Sequence, residues 1–167
     1  MKKKTSYIVI LIIFVISIVL DLVTKVLIQN YFEAGNDSIH VIKGFFEITY
    51  LKNTGAAFGM FGDSTLALTI VSIVFVALFV LYDIFCHSNS IWYSMGISLI
   101  VGGAIGNMID RIFLGYVRDF ISIKLFSFVF NLADLFITVG VIAFVIHFII
   151  STIKETKDKK NNAMDNK

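Results

Sequence analysis

The chain is poor in proline, cysteine and charged residues. Its 167 residues include no proline and a single cysteine, Cys86, and only 16% are charged. The sequence therefore excludes proline-kinked helices, an intrachain disulfide and a cysteine-based metal cluster. Soluble domains have roughly 45–50% apolar and about 25% charged residues, whereas 57% of this chain is hydrophobic. These proportions indicate an integral membrane protein.

Two further classes of ligand are disfavoured by composition. The formal net charge is only +2, which gives no reason to expect a nucleic-acid partner. His40, His87 and His147 are far apart and lack the spacing of metal ligands. We therefore expect neither a metal site nor another cofactor.

Four apolar runs are long enough to cross a membrane as helices, which takes about 20 residues. They lie at approximately residues 6–28, 65–85, 91–109 and 131–150. We predict an all-α, four-span domain over residues 1–150, followed by a Lys/Asn-rich cytoplasmic tail, residues 151–167, which we expect to be disordered. Between the first two spans, residues 45–52 alternate enough to suggest short strands.

The lysines predict the orientation of the spans. Three lysines lie at residues 2–4 and five more between residues 154 and 167, so the positive-inside rule places both termini in the cytoplasm. An even number of spans agrees with this placement. The long connections, residues 29–64 and 110–130, then face the extracytoplasmic side.

With this topology, the costly polar residues collect at the outer ends of the helices. These residues are Asp21, Lys25, Asn107, Asp110, Arg111, Asn131 and Asp134, and Asp119 lies in an outer loop. Asp83 is the exception, at the inner end of the second span, where we expect it to reach cytoplasmic water. Ionisable residues at membrane depth are functional-site candidates by default. The sequence thus predicts one polar site at the outer surface.

Asp119 and Asp134 are the candidate reactive groups. Asn131 is a good N-cap for the fourth helix, which puts Asp134 in its first turn, near the positive end of the helix dipole. Two neighbouring carboxylates can share one proton, so that one activates a water as general base and the other protonates a carbonyl as general acid. This pattern favours a membrane-embedded aspartic protease.

Five motifs resemble the bacterial lipoprotein signal peptidases (signal peptidase II, aspartic peptidase family A8). They are DLVTK at residues 21–25, NTGAAFG at 53–59, GAIGNMIDR at 103–111, VRDF at 117–120 and FNLAD at 130–134. The resemblance implies a catalytic dyad of Asp119 and Asp134. It also implies that the site is lined or supported by Asp21, Lys25, Asn53, Gly55, Phe58, Gly103, Asn107, Arg111 and Asn131.

The same resemblance implies the partners and the location. The substrates would be prolipoproteins already carrying diacylglyceryl on the cysteine that becomes the new N-terminus, globomycin would inhibit, and membrane lipids would surround the site. The enzyme would lie in the bacterial cytoplasmic membrane, with a small extracytoplasmic β-cradle beside an active site on that face. Arg118 departs from the family pattern, which often has an apolar residue there, and we expect it to face away from the dyad.

Two alternatives stay open. A small four-span proton-coupled transporter could use Asp21 or Asp134 as its binding carboxylate, although such a group is expected near the bilayer midplane. Asp21 and Lys25 lie four residues apart on one helix face. A self-neutralising structural pair is for them at least as good an interpretation as direct contact with substrate.

Overall fold

Four long helices and a small antiparallel sheet make up the computed structural model, which describes residues 1–55, 65–126 and 128–165. The helices are α1 (Lys3–Glu33), α2 (Thr65–Cys86), α3 (Ile91–Leu114) and α4 (Leu132–Asp165). Each is long and apolar enough to cross a membrane. The prediction of four apolar helices is confirmed.

Helix α3 lies at the centre of the bundle and packs against the other three. Close approach depends on its glycines, because a Cβ at these positions would meet a neighbouring helix. At Gly103 it would lie 2.5 Å from the backbone oxygen of Ala133 in α4, and at Gly106 it would collide with the Asp21 carboxylate of α1. These two glycines allow α1 and α4 to bring polar side chains up to the half of α3 nearer the sheet.

The sheet contains four strands in the order β1-β2-β3-β4, all antiparallel: β1 (Ile39–Ile42), β2 (Phe46–Asn53), β3 (Val117–Ile123) and β4 (Val129–Phe130). Asp119 lies in β3 opposite Leu51 of β2, so its predicted position in a loop is wrong. The first four residues of β3 are all buried. A strand that is buried on both faces lacks the alternation by which strands are recognised.

Two helices run past their predicted ends. Helix α3 continues beyond residue 109 to Leu114 and closes on Gly115, whose φ of 79° is the left-handed conformation of a helix C-cap. Helix α4 continues to Asp165, where we expected a disordered tail. The tail holds lysine and glutamate, which favour helices, and Glu155 pairs with Lys159 one turn later.

At the end of the bundle away from the sheet, Asp83 of α2 lies among the helices. Its Oδ1 accepts a hydrogen bond from the Tyr93 hydroxyl at 2.8 Å and lies 2.8 Å from Nδ1 of His87. The ring of Tyr7 stacks on His87 with centroids 4.1 Å apart. We expected Asp83 to reach cytoplasmic water, and its side chain is 21% exposed. It also has protein partners, because Tyr93 of α3 and His87 of the α2–α3 turn follow it closely in sequence.

Candidate active site

Asn131 joins the two candidate carboxylates. Its side-chain Nδ2 donates to Oδ1 of Asp119 at 2.6 Å, and its backbone N donates to Oδ2 of Asp134 at 3.1 Å. In return, the backbone N of Asp134 donates to Oδ1 of Asn131 at 3.0 Å. This reciprocal capping pair satisfies two donors at the start of α4. It also holds a carboxylate of α4 next to a carboxylate of β3.

Asp119 is 2% exposed and is held by amides on both oxygens. Besides Asn131, Nδ2 of Asn53 donates to its Oδ2 at 2.7 Å. Burial raises the pKa of Asp119 to about 6; the hydrogen bonds from Asn53 and Asn131 oppose this rise, and the charge of Asp134 adds to it. Asp119 therefore keeps a proton more readily than an ordinary carboxyl group does.

Beneath this pair, Asn107 connects Asp134 to a buried lysine. Nδ2 of Asn107 donates to Oδ1 of Asp134 at 2.8 Å, and its Oδ1 accepts from Nζ of Lys25 at 2.8 Å. Lys25 also pairs with Asp21 at 2.7 Å, and Asp21 accepts from the backbone N of Ala133 at 2.9 Å. Asp21 and Lys25 thus form a neutral structural pair that also supports the carboxylates.

The orientations of the three amides follow from obligate donors. Lys25 can only donate, so the oxygen of Asn107 must face it and the NH₂ group must face Asp134. The same argument applies to Asn131, whose oxygen accepts from a helix N–H, and to Asn53, whose oxygen accepts from the backbone N of Gly55 at 3.1 Å. Each amide consequently presents hydrogen-bond donors to a carboxylate.

Asp110 lies behind the site and binds Arg118. Nη2 of Arg118 donates to Oδ1 of Asp110 at 2.6 Å, and Nε donates to Oδ2 at 3.1 Å. Burial opposes the charge of Arg118, but the hydrogen bond and charge of Asp110 outweigh it and raise the pKa of the guanidinium. The side chain is directed to Asp110 and Gln29, as expected for a residue that faces away from Asp119.

A cavity of about 770 Å³ opens in front of the carboxylates. Asp119 and Asp134 line it together with Asn53, Gly55 and Arg111. Arg111 interacts electrostatically with both carboxylates, and in the described part of the chain no carboxylate lies within ion-pairing distance of it. Its cation is therefore available for a group that enters the cavity.

Sequence reasoning missed the other wall of this cavity. It consists of β2–β4 residues and the turn between β3 and β4: Leu51, Ser122, Lys124, Phe126, Phe128, Val129 and Phe130. The alternating phenylalanines were the available signal, but their spacing equally fits anchoring at a membrane interface. Phe58, a predicted site residue, lies outside the described residues. In the described residues, no group of three or more His, Cys, Asp or Glu side chains could hold a metal ion.

The geometry supports acid–base chemistry on a polar group that enters the cavity. One carboxylate is buried and readily protonated, the other is half-buried in the first turn of a helix, and a cation lies beside both. Such an arrangement can activate water with one carboxylate and protonate an oxygen with the other. It is the arrangement expected of a hydrolase.

Comparisons with known proteins agree with this chemistry. A family model described as signal peptidase (SPase) II matches residues 13–150. The lipoprotein signal peptidase of Caldanaerobacter subterraneus subsp. tengcongensis is 46% identical over 123 residues, which is 74% of this chain and 83% of that protein. The lipoprotein signal peptidase of Clostridium tetani is 41% identical over 143 residues, which is 83% of this chain and 91% of that protein.

A solved structure described as a bacterial membrane enzyme superposes with a TM-score of 0.73 at 32% identity, covering 95% of this chain and 93% of that one. The fold and the relatives together define a multi-pass membrane peptidase. More particularly, the chain belongs to the signal peptidase II family. This membership favours a peptidase over the transporter that the sequence analysis left open.

Proposed function

We propose that this protein is an aspartic endopeptidase that removes signal peptides from diacylglyceryl-modified prolipoproteins, cutting just N-terminal to the lipidated Cys. The observation that carries the proposal is the Asn131 bridge, which joins the carboxylates of Asp119 and Asp134 at the wall of one cavity. The names of the relatives support the substrate class.

The reaction follows from the different surroundings of the two carboxylates. Asp119, with its raised pKa, holds the proton that the pair shares, and Asp134 accepts a proton from water. The water oxygen attacks the carbonyl carbon before the Cys while Asp119 protonates the carbonyl oxygen. The C–N bond then breaks, the departing nitrogen takes the proton from Asp134, and one hydroxyl of the intermediate returns a proton to Asp119, which leaves a new carboxyl terminus and restores both residues. No covalent enzyme intermediate forms.

The amides of Asn53, Asn107 and Asn131 hold the carboxylates for this chemistry, and Arg111 offers a cation to the substrate backbone. Peptide substrates need such positioning, because misplacement by about 1 Å can cost roughly 10²-fold in rate. Gly55 gives the substrate room to approach, and Gly103 gives α4 room to approach. We assign Phe58 to the same site. Asp21 and Lys25 support it from below.

The precursor enters laterally from the bilayer. Its signal helix lies along the apolar helices, and the mature segment leaves across the sheet. The site faces the extracytoplasmic side of the bacterial cytoplasmic membrane, both termini and the tail after residue 150 are cytoplasmic, and residues 1–150 form one catalytic domain. The lysines at both ends of the chain support this orientation.

The test is cleavage by the purified protein of one prolipoprotein in two forms, with and without diacylglyceryl on the Cys. We expect the modified form alone to be cut, giving a product whose mass begins at the modified Cys. Globomycin should inhibit, whereas chelators and serine-directed reagents should not. A folded wild-type protein that leaves the modified precursor intact, or cuts it elsewhere, would refute the proposal.

A further inference from the structure

Arg118 occupies an unusual place directly before Asp119 in β3. Neighbouring residues of a strand point to opposite faces, so Asp119 faces the cavity while Arg118 faces α1 and α3. Arg118 donates to Asp110 from its backbone N at 3.0 Å as well as from Nε and Nη2, and Nη1 donates to Gln29 of α1 at 3.1 Å. Arg118, which directly precedes the reactive carboxylate, therefore donates four hydrogen bonds to α1 and α3.

These hydrogen bonds fix β3 to the bundle. Three of them end on one carboxylate of α3, and the fork of the guanidinium makes the contact directional as well as strong. The backbone N–H of Arg118 lies one residue from Asp119, so a shift of Asp110 moves Asp119 with it. On its cavity side, the hydrogen bonds to Asp119 from the described residues come from the amide side chains of Asn53 and Asn131.

The same contact balances the buried charge beneath the carboxylate pair. The side chains of Asp21, Lys25 and Asp110 are 0% exposed and that of Arg118 is 9% exposed. Lys25 neutralises only one of the two negative charges of Asp21 and Asp110. Arg118 neutralises the other. Nζ of Lys25 lies 3.6 Å from Asp110 and also binds Asn107, which in turn binds Asp134. The net charge of this buried group therefore influences Asp134 through Lys25 and Asn107.

We infer that Arg118 is a positioning residue of the proposed peptidase site, anchoring the strand of Asp119 to Asp110 and keeping the buried charge beneath the two carboxylates at zero. This inference rests on the proposed function. It assigns two separable effects to one side chain: anchoring depends on the guanidinium fork, and neutralisation depends on the positive charge alone.

Arg118→Gln removes both effects. Loss of the contact that holds β3 on Asp110 should lower kcat by about 10-fold, since small displacements of reacting groups reduce the rate strongly. The uncompensated negative charge disfavours ionisation of the pair, so the pH profile of kcat should move toward higher pH by about 0.5 unit. Among the described residues, the other charged or titratable groups near the pair are Asp21 and Lys25 of α1, Tyr50 of β2, Asp110 and Arg111 of α3, and Lys124 of the β3–β4 turn, and all are retained.

Two further variants separate the effects. Arg118→Lys keeps the charge but not the fork, so kcat should fall while the pH profile stays at its wild-type position. In Asp110→Asn/Arg118→Gln the buried charge is again balanced, so the pH profile should return to the wild-type position although kcat stays low. A purely structural role for Arg118 would not move the pH profile in this pattern.

Lys52→Gln is the matched control. Lys52 lies directly opposite Arg118 in β2, and the same substitution removes the same charge from an exposed side chain that lies over the Tyr116 ring. We expect wild-type kcat and pH profile. Thermal unfolding of each variant in detergent identifies those that fold.

The outcomes separate this inference from the proposed function. A wild-type protein that does not cut the lipidated precursor overturns the proposed function, and the inference with it. A wild-type protein that cuts, together with an Arg118→Gln variant of unchanged kcat and pH profile, overturns the inference alone. If Arg118→Gln does not fold, Arg118→Lys and the double variant decide: lowered kcat at the wild-type pH profile supports the inference, and unchanged kcat contradicts it.

Discussion

The two ends of the helix bundle differ in how they hold the carboxylates that lie among the helices. At one end, Asp83 is alone and takes its partners, Tyr93 and His87, from the same short stretch of chain. At the other end, Asp21, Asp110, Asp119 and Asp134 converge from α1, α3, β3 and α4. Both ends satisfy their carboxylates with protein donors. Hydrogen bonding to protein donors is thus common to both ends and does not by itself mark a reactive site.

What distinguishes the two ends is how the carboxylates are connected and what lies in front of them. Asp119 and Asp134 share donors on Asn131 and line a cavity of about 770 Å³. Asp83 lines a groove of about 240 Å³ whose other lining residues are almost all apolar. Of the two, the first arrangement offers a pair of carboxylates that can share a proton and room for a peptide.

Replacing Lys25 with Met should cause the largest loss of stability. It leaves Asp21 and Asp110 buried without their shared cation, and breaking a buried pair costs about 3–5 kcal/mol. At the other end, His87→Phe removes one hydrogen bond to Asp83, which is worth about 1 kcal/mol. Thermal unfolding in detergent measures both. Equal losses in the two variants would contradict the contrast.

Asn131→Ala should lower kcat by about 100-fold, because it removes the donor that aligns Asp119. It should also lower the free energy of unfolding by about 1 kcal/mol, the usual value of an N-cap. Asn131→Ser is the matched control, since serine caps a helix but cannot reach Asp119 with an amide. We expect serine to recover the stability and not the rate; recovery of both would mean that Asn131 acts only as a cap.

Alanine at Gly106 and at Gly96 should separate stability from activity on the same helix. A Cβ at Gly106 would collide with the Asp21 carboxylate, and one at Gly96 would lie 2.9 Å from the backbone N of Phe144. Overpacking typically costs about 1–3 kcal/mol, so both variants should unfold at lower temperature. Cleavage at a temperature where both are folded should fall only for Gly106→Ala. Equal activities would show that the Asp21–Lys25 pair does not influence the reaction.

Titration of Asp119 should make a small contribution to the pH dependence of the free energy of unfolding. Its pKa in the fold is raised to about 6 from an ordinary value of 3.8, so the folded protein binds the proton more tightly than the unfolded chain. This contribution to stability is present below pH 3.8 and is lost as the pH rises through 6. Relative to Asp119→Asn, the wild type should therefore lose unfolding free energy between these values. A difference that stays constant with pH would contradict the raised pKa.

The four helices could be predicted from the sequence, because an apolar run of this length is typical of a membrane-spanning helix. The sequence also indicated that Asp21, Lys25, Asn107, Asn131 and Asp134 lie at one level, since span direction fixes the depth of each residue. The capping role of Asn131 was predictable for a local reason: the cap and Asp134 lie three residues apart in one helical turn.

The contacts between elements could not be predicted in this way. Arg118 reaches Asp110 only because α3 continues to Leu114 and Gly115 reverses the chain into β3. The orientation of the Asn107 amide depends on Lys25, which lies 82 residues away in sequence. The strand that holds Asp119 is buried on both faces and so lacks an alternating pattern. These contacts depend on where a helix ends or on a partner distant in sequence, and a local pattern specifies neither.

The central claim is that the carboxylates at the sheet end react and the carboxylate at the other end does not. The most direct test compares cleavage of a diacylglyceryl-modified prolipoprotein by the wild type, by Asp134→Asn and by Asp83→Asn. Loss of a general acid or base costs about 10²–10⁴-fold in rate, so Asp134→Asn should be lower by about 10³-fold and Asp83→Asn should cut at close to the wild-type rate. Wild-type activity in a folded Asp134→Asn variant would contradict the account.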